Sequence, residues 1–294
     1  MSTAPGSMDP RRRIQGFLAG QRCRGRSGFL GRRVYDLRMN PVWLGDIRAV
    51  LFDWGGTLCA TASEMEVWPA AGRKAVEAAR AAGLALDPED VPSLIAFLRQ
   101  ARDQAQLDPQ HREMDALGLL SDWLLRSGIQ SPSFDALVAV ADAFWSQWVG
   151  CLTPIGPVDG LLAGLRRGGY RLGLVSNTAT PAKWCRAELD RLGLSGYFDG
   201  LTFSSEVGRR KPHAAIFEDA LARVGGGQDL EASCVLFVGD SPACDVAGAA
   251  RMGMRTALVR DGTATETTES AETARPDLIV RRATDLLAIL TDRA

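Results

Sequence analysis

The chain has 294 residues, of which 46% are hydrophobic and 23% charged, and its formal net charge is −1. This composition is typical of a globular protein with one large core or two smaller ones. The near-zero charge gives no general attraction for nucleic acid or an acidic membrane, and no apolar run is long enough to cross a bilayer. The six cysteines include no CxxC pair, which predicts reduced thiols in a cytoplasmic protein rather than disulfides or a zinc site.

Residues 1–45 differ from the rest of the chain. They contain nine arginines, many glycines and few acidic residues, without a helical or strand period. This pattern favours a disordered extension, with Met39 as an alternative start. An arginine-rich, acid-poor segment is also typical of organelle targeting peptides.

From Ile47 onward, short apolar runs alternate with helix-like segments. The predicted strands are Ile47–Phe52, Tyr170–Val175, Gly200–Phe203, Cys234–Val238, Thr256–Val259 and Leu278–Val280. The helix-like segments are Pro181–Leu192, His213–Val224, Ala243–Arg251 and Ala283–Leu290. Strands that alternate with helices predict βαβ units and therefore an α/β fold with a parallel sheet.

Residues 60–155 interrupt this alternation because they contain no convincing strand. They predict four amphipathic helices, at Trp68–Ala82, Pro88–Ala105, Arg112–Ser127 and Ser133–Val149. An insertion after the first strand lies over the edge where open α/β sheets bind ligands. We therefore expect a helical cap at 60–155 and an α/β core made of 46–59 and 156–294; a packing domain without ligand contact is the alternative.

Polar residues follow four of the predicted strands. Asp53 lies in FDWGGTL, Ser176 in LVSNT, Lys211 in GRRKPHAAIF, and Asp240 in VGDSPACDVAGA, where Asp245 follows five residues later. Any one of them alone is as well explained by a helix cap or a solvated turn. Together they predict a single site of carboxylates, a hydroxyl and an ammonium group.

These residue types suit phosphoryl transfer. A carboxylate can attack phosphorus and form an aspartyl-phosphate, and a Mg²⁺ ion held by carboxylates can offset the repulsion between two anions. Lys211 adds a compact positive charge, and Ser176 can donate to the phosphoryl oxygens. Gly55 and Gly56 allow the backbone to approach a phosphate closely.

These motifs resemble motifs one to four of the haloacid dehalogenase (HAD) superfamily of phosphohydrolases, over residues 47 to about 290. The resemblance implies a Rossmann-like parallel sheet core with an inserted α-helical cap of the C1 type. It implies catalytic roles for Asp53 (the nucleophile), Ser176 and Lys211. It implies substrate contacts from Gly56, Thr57 and Asn177. It implies Mg²⁺ binding by Asp53, the Gly55 carbonyl and Asp240, with Asp245 holding a metal-bound water or orienting Lys211.

The chain departs from the family pattern at position 55. Phosphatases of this family usually read D-x-D-G-T, whereas this chain has Gly55 in place of the second aspartate, which acts as acid and base. The metal ligand at this position is a backbone carbonyl and is retained, but the acid–base group is lost. Hydrolysis then favours substrates with good leaving groups, or it uses water or a cap residue such as His111 as the acid. The alternative for His111 is an ordinary surface histidine. Trp54, which follows the nucleophile, is predicted to point away from the phosphate, toward the leaving group or the cap.

We expect a Mg²⁺-dependent hydrolase that cleaves a phosphate monoester of a small metabolite, acts as a monomer or homodimer, and binds neither nucleic acid nor membrane. One alternative is a relative that binds a phosphorylated ligand without catalysis. Another is a C–P bond hydrolase similar to phosphonoacetaldehyde hydrolase, which reads D-W-A-G-T and needs a cap lysine, here only Lys74. A haloacid dehalogenase proper would read D-x-Y-G-T and lack the Gly-Asp-Ser of motif four, which disfavours it.

Overall fold

The computed structural model describes residues 42–62, 64–260 and 275–291. Most of the predicted N-terminal extension lies outside these residues. The described strands include a six-stranded parallel sheet in the order β5–β4–β1–β6–β7–β8. Its strands are β1 (Ala49–Phe52), β4 (Arg171–Ser176), β5 (Gly200–Phe203), β6 (Val235–Gly239), β7 (Arg255–Val259) and β8 (Leu278–Val280). All six predicted strands are therefore present, and the α/β prediction is confirmed.

The central strand β1 is buried on both faces of the sheet. Its four residues have no exposed surface, as expected for a strand covered on both faces. Val50 and Phe52 belong to one hydrophobic cluster, and Ala49 and Leu51 to another, because successive side chains point to opposite faces. Helices α5 (Val158–Arg167), α6 (Ala182–Arg191) and α10 (Leu286–Thr291) contribute to the first cluster. Helices α7 (Ser204–Val207), α8 (Ala214–Gly225) and α9 (Ala247–Arg251) contribute to the second.

The predicted helical block forms a helical insert, residues 64–148, with its own hydrophobic core. Its helices are α1 (Glu64–Ala81), α2 (Val91–Gln106), α3 (Ala116–Arg126) and α4 (Phe134–Trp145). Tryptophans fill much of its core; the rings of Trp145 and Trp148 stack with centroids 6.4 Å apart. Helix α3 begins at Ala116 and not at the predicted Arg112, because the Asp115 side chain accepts the N–H of Leu117 and caps the helix there.

Two short strands connect the insert to the sheet, and the sequence analysis missed both. Strand β2 (Cys59–Thr61) pairs antiparallel with β3 (Leu152–Pro154). Three residues are too few to show a strand period, so the apolar pattern contains no signal for them. The Glu188 carboxylate of α6 accepts the N–H groups of Gly150, at 2.7 Å, and Leu152, at 3.2 Å, and so anchors the second connection to the core.

Two further sequence predictions concern the cysteines and membranes. Cys59, Cys151, Cys185, Cys234 and Cys244 are all free thiols, and Cys23 lies outside the described residues. Within the described ranges, no helix has the length and apolar character needed to span a membrane.

Candidate active site

The candidate site lies at the carboxyl edge of the three central strands. Phe52 of β1 is in register with Leu174 of β4 and with Val238 of β6. Asp53 and Asp240 therefore follow neighbouring strand ends, and Ser176 is the last residue of β4. This edge is where open parallel sheets bind ligands.

Lys211 joins two of the carboxylates. Its ammonium nitrogen lies 2.5 Å from Asp53 Oδ1 and 2.8 Å from Asp245 Oδ1. It also donates to the Val175 carbonyl at 3.0 Å. All three titratable residues are more than nine-tenths buried, so their attraction is weakly screened. Sequence positions 53, 211 and 245, far apart along the chain, thus form one contact group.

The positions of these groups set their pKa values. Burial raises the pKa of Asp53 from 3.8 to about 7, and the charges of Asp245 and Asp240 add to the effect, while Lys211 opposes it. Burial alone would lower the pKa of Lys211, but Asp53 and Asp245 outweigh burial and hold that pKa above its usual range. Burial, and then the nearby charge of Asp245, raise the pKa of Asp240. These shifts reflect three carboxylates around a single ammonium group, an arrangement that favours binding of further positive charge.

The glycines around Asp53 differ in what they allow. Gly56 has a φ of +82°, and a Cβ atom there would lie 2.3 Å from Asp240 Oδ2, so only glycine fits. A Cβ on Gly239 would lie 2.3 Å from Asp245 Cγ. Gly55 is outside the left-handed region, and in the described part of the chain a Cβ there would meet only Thr61 Cγ2, at 3.9 Å. The backbone at position 55 therefore does not require glycine.

The three residues predicted to contact substrate all have protein partners. The N–H of Gly56 donates to the Cys59 carbonyl at 2.8 Å. The Thr57 hydroxyl donates to Asp53 Oδ2 at 3.2 Å and lies 3.5 Å from Asp240 Oδ1. Asn177 binds the main chain of Lys211 twice: Oδ1 accepts its N–H at 2.7 Å, and Nδ2 donates to its carbonyl at 3.0 Å. Thr57 and Asn177 thus orient Asp53 and Lys211, and direct contact with a substrate stays a prediction.

The carboxylates fit a divalent cation. Oxygens of Asp53, Asp240 and Asp245 lie within 4.8 Å of one another, and oxygen ligands are those preferred by Mg²⁺. Asp245 is already engaged, because its other oxygen accepts the N–H of Ser241 at 2.9 Å. Asp240 is exposed, and among the described residues its Oδ1 lies 3.5 Å from the Thr57 hydroxyl and its carboxylate also interacts with that of Asp53. Both oxygens of Asp53 also have protein partners, Lys211 and Thr57, so Asp240 is the most open of the three carboxylates, and Asp245 holds Lys211 and the loop.

Three further residues that the sequence analysis named, Trp54, His111 and Lys74, differ in their burial and contacts. Trp54 is 4% exposed and packs in the sheet core, 6.2 Å from the Phe203 ring, and its contact with the leaving group or the cap stays a prediction. His111 is half-buried beside the core, and burial lowers its pKa, with the charge of Arg210 adding to the effect. Lys74 is half-exposed and pairs with Glu77 on α1.

Sequence reasoning missed Glu113 and Ser204. Glu113 belongs to the helical insert, and its Oε2 lies 2.5 Å from the hydroxyl of Ser204, which directly follows β5. Neither residue belongs to a recognisable motif. The only available signal was a serine after a predicted strand, and such serines are common helix caps.

A family model described as "haloacid dehalogenase-like hydrolase" matches residues 47–253. This range covers more than half of the chain and includes every strand-end residue of the site. The chain belongs to the haloacid dehalogenase-like hydrolases. The resemblance inferred from the motifs is thereby confirmed.

Two curated HAD-like relatives are phosphatases by name. A ribulose-1,5-bisphosphate 5-phosphatase of Halopiger xanaduensis is 33% identical over 168 residues, which are 57% of this chain and 67% of the relative. A glyceraldehyde 3-phosphate phosphatase of Methanopyrus kandleri is 28% identical over 248 residues, 84% of this chain and 99% of the relative.

Solved structures of HAD-like proteins share the fold. A HAD phosphatase from Thermococcus onnurineus aligns with a TM-score of 0.53 and 23% identity, covering 83% of this chain and 98% of that one. A 2-haloacid dehalogenase from Pseudomonas syringae aligns with a TM-score of 0.60 and 25% identity, covering 84% of this chain and all of that one. Because the fold is common to both chemistries, the residues of the site must distinguish them.

Proposed function

We propose that this HAD-like hydrolase is a phosphatase that cleaves phosphate monoesters of a small metabolite through an aspartyl-phosphate on Asp53. The observation that carries the proposal is the contact group of Asp53, Lys211 and Asp245, with Asp240 beside it at the same sheet edge. A buried carboxylate held by one ammonium group and surrounded by two further carboxylates suits a nucleophile that works with a divalent cation.

In this mechanism each side chain has a distinct task. Asp53 attacks the phosphorus atom, the P–O bond to the leaving group breaks, and the leaving oxygen departs as an anion that takes its proton from water. Lys211 holds the Asp53 carboxylate in place and balances charge on the phosphoryl oxygens. Ser176, 7% exposed at the end of β4, donates its hydroxyl to the same oxygens. Water then attacks the aspartyl-phosphate, which regenerates Asp53 and releases phosphate.

Asp53, Asp240 and the carbonyl of Gly55 would hold the Mg²⁺ ion. The hydrogen bonds of this turn use the neighbouring Trp54 and Cys59 carbonyls, so the role of Gly55 is compatible with the local backbone. When bound, the ion supplies the positive charge that lets an anionic nucleophile approach a phosphate.

Gly55 restricts the substrates. An acid–base side chain contributes typically about 10²–10⁴-fold in rate, and position 55 provides none. The chain should therefore act best on esters whose leaving oxygen departs as a stable anion without a proton, such as aryl phosphates. The named activities of the relatives make ribulose-1,5-bisphosphate and glyceraldehyde 3-phosphate the natural first metabolites to try.

The test is phosphate release by the purified protein with Mg²⁺. An aryl phosphate, the two sugar phosphates and a pyrimidine nucleotide form the panel, with Asp53→Asn as the inactive control and the exposed Asp122→Asn as the matched one. Turnover by wild type and Asp122→Asn but not by Asp53→Asn, with a phosphorylated Asp53 peptide in mass spectra, supports the proposal. Phosphate binding without turnover favours the non-catalytic alternative.

The C–P hydrolase alternative has no comparable support. It requires a cap lysine that forms a Schiff base, and Lys74 is half-exposed and paired with Glu77. Loss of phosphonoacetaldehyde cleavage in Lys74→Ala would be needed to revive it.

We further propose that a small phosphorylated molecule is the partner of this chain and that the chain acts in the cytoplasm as a monomer or homodimer. Sedimentation of the purified protein tests the assembly, and microscopy of the tagged full chain tests the location.

A further inference from the structure

A segment of the helical insert pairs with the core directly before Lys211. The N–H of Glu113 donates to the Gly208 carbonyl at 3.1 Å, and the N–H of Arg210 donates to the His111 carbonyl at 2.7 Å. Arg112 and Arg209 form the antiparallel bridge between these bonds. The insert is thus joined by main-chain bonds to the residues that lead into the ammonium-bearing Lys211.

Side chains extend this junction to the loop after β4. Glu113 Oε2 lies 2.5 Å from the hydroxyl oxygen of Ser204. This Ser204 oxygen also accepts the N–H of Thr178 at 2.7 Å. The hydroxyl has one proton, and its other acceptor, the Thr178 carbonyl, is farther away at 3.2 Å. The proton therefore goes to the charged carboxylate, which leaves the oxygen lone pairs facing the N–H of Thr178.

The loop fixed in this way contains two groups of the candidate site. Thr178 follows Ser176 and Asn177 in the chain, and Asn177 binds both the N–H and the carbonyl of Lys211. Hydrogen bonds and three consecutive residues therefore connect Glu113 of the insert with Ser176 and with the main chain of Lys211.

We infer that Glu113 is a positioning residue that makes phosphate binding depend on the seating of the helical insert against the core. The hydrogen bond between Glu113 and Ser204 holds the loop 176–178 and Lys211 in one arrangement. Without this bond, the loop and Lys211 are less well fixed. Both Glu113 oxygens are engaged, since Oε1 accepts the N–H of Met114 at 2.8 Å, so Glu113 acts through Ser204 and not on the reacting atoms. This inference rests on the proposed phosphatase function for its kinetic readout.

The experiment compares Glu113→Ala, Glu113→Gln and Ser204→Ala with Ser205→Ala. Ser205 is the matched control because its hydroxyl bonds the same loop, at the Thr180 carbonyl 2.9 Å away, without a link to the insert. Two experiments are made on each variant. The first measures hydrogen exchange at the Thr178 amide, and the second measures kcat and KM for an aryl phosphate with Mg²⁺.

We expect faster exchange at Thr178 in Glu113→Ala and Ser204→Ala, with kcat/KM lowered about 10- to 100-fold, as misplacement of binding groups can cause. Glu113→Gln, which keeps an acceptor oxygen, should recover part of both losses, and Ser205→Ala should match wild type. A further variant carries both Glu113→Ala and Ser204→Ala. Because the two residues act in series, this double variant should be no worse than Ser204→Ala alone.

Wild-type exchange and kinetics in Glu113→Ala, or additive losses in the double variant, would overturn the inference. If Glu113→Ala does not fold, Glu113→Gln and Ser204→Ala decide the question. If wild type cleaves no ester, the proposed function fails, but exchange at Thr178 in the same variants still accepts or rejects the linkage.

Discussion

A Cβ atom built on Gly55 would lie 3.9 Å from Cγ2 of Thr61, and no other atom of the described residues, apart from the chain neighbours, would come within 4 Å. This is ordinary van der Waals distance, and the φ of Gly55 is one that other residues adopt. The family's acid–base side chain is thus absent from a position that has room for it. Gly55→Asp should raise the rate on alkyl phosphates by about 10²-fold, the lower end of the contribution of an acid–base group.

The control for this prediction is Gly55→Asn, which has the same size but no transferable proton. Rates on an alkyl and an aryl phosphate are measured for wild type and both variants, with the thermal midpoint as a check on folding. The aspartate variant should gain on the alkyl ester and little on the aryl ester. An equal gain in the asparagine variant would show that the added bulk matters and that proton transfer does not.

The charge arrangement predicts that Asp53→Asn stabilises the metal-free protein. Three carboxylates share one ammonium group, and burial, the largest influence, raises the pKa of Asp53 to about 7. The native state then binds a proton that the unfolded state releases near pH 4, so wild type loses stability as the pH rises from about 4 to 7. The cost is on the order of a few kcal/mol at pH 7 or above.

Thermal unfolding in EDTA at several pH values measures this effect, with the exposed Asp122→Asn as control. The difference in thermal midpoint between Asp53→Asn and wild type should grow between pH 4 and 7 and stay constant above pH 7. Addition of Mg²⁺ in place of EDTA should reduce this difference by stabilising wild type. A gap that is the same at pH 4.5 and pH 7.5 would contradict the prediction.

The sequence was informative where chemistry depends on residue type at strand ends. Asp53, Lys211 and Asp245 could be grouped from the sequence because parallel strands bring their carboxyl ends to one edge. Hydrogen-bond partners were not readable, because they depend on side-chain direction. The bonds of Asn177 to the Lys211 main chain were not foreseen beside its predicted substrate contact, and nothing in the pattern around Glu113 indicates its bond to Ser204.

The geometry predicts different consequences for the two motif-four aspartates. Asp240 is exposed and lies 3.5 Å from the Thr57 hydroxyl, whereas both oxygens of Asp245 are engaged, by Lys211 and by the Ser241 N–H. Asp240→Asn should weaken Mg²⁺ affinity by about 100-fold or more, above the effect of a supporting group, because it replaces a charged carboxylate ligand with a neutral amide. Asp245→Asn should weaken it only about 10-fold, as supporting groups do, and should lower the thermal midpoint more.

Calorimetric titration with Mg²⁺ and thermal unfolding in EDTA separate the two effects. A larger affinity loss in Asp245→Asn than in Asp240→Asn would mean that Asp245 is the direct ligand and that Lys211 is held by other groups.

The connection between insert and core depends on the buried Glu188. Its carboxylate accepts the N–H groups of Gly150 and Leu152 and pairs with Arg191 at 2.7 Å, yet its side chain is almost fully buried. Glu188→Ala leaves two N–H groups and a guanidinium without their acceptor. Since unpaired buried donors are costly, the free energy of unfolding should fall by about 2–4 kcal/mol, which lowers the thermal midpoint by roughly 5–15 °C.

Denaturant unfolding at pH 7 checks this, with the exposed Glu218→Ala as the matched control that should change little. Burial by itself raises the pKa of Glu188, but the hydrogen bonds from Arg191 and the two amides outweigh it and lower that pKa. The carboxylate therefore stabilises the fold fully above about pH 4.5 and less as the pH falls through its lowered value. The difference in the free energy of unfolding between Glu188→Ala and Glu218→Ala should accordingly become smaller in acid. A difference that becomes larger there would show that the buried carboxylate does not stabilise the connection.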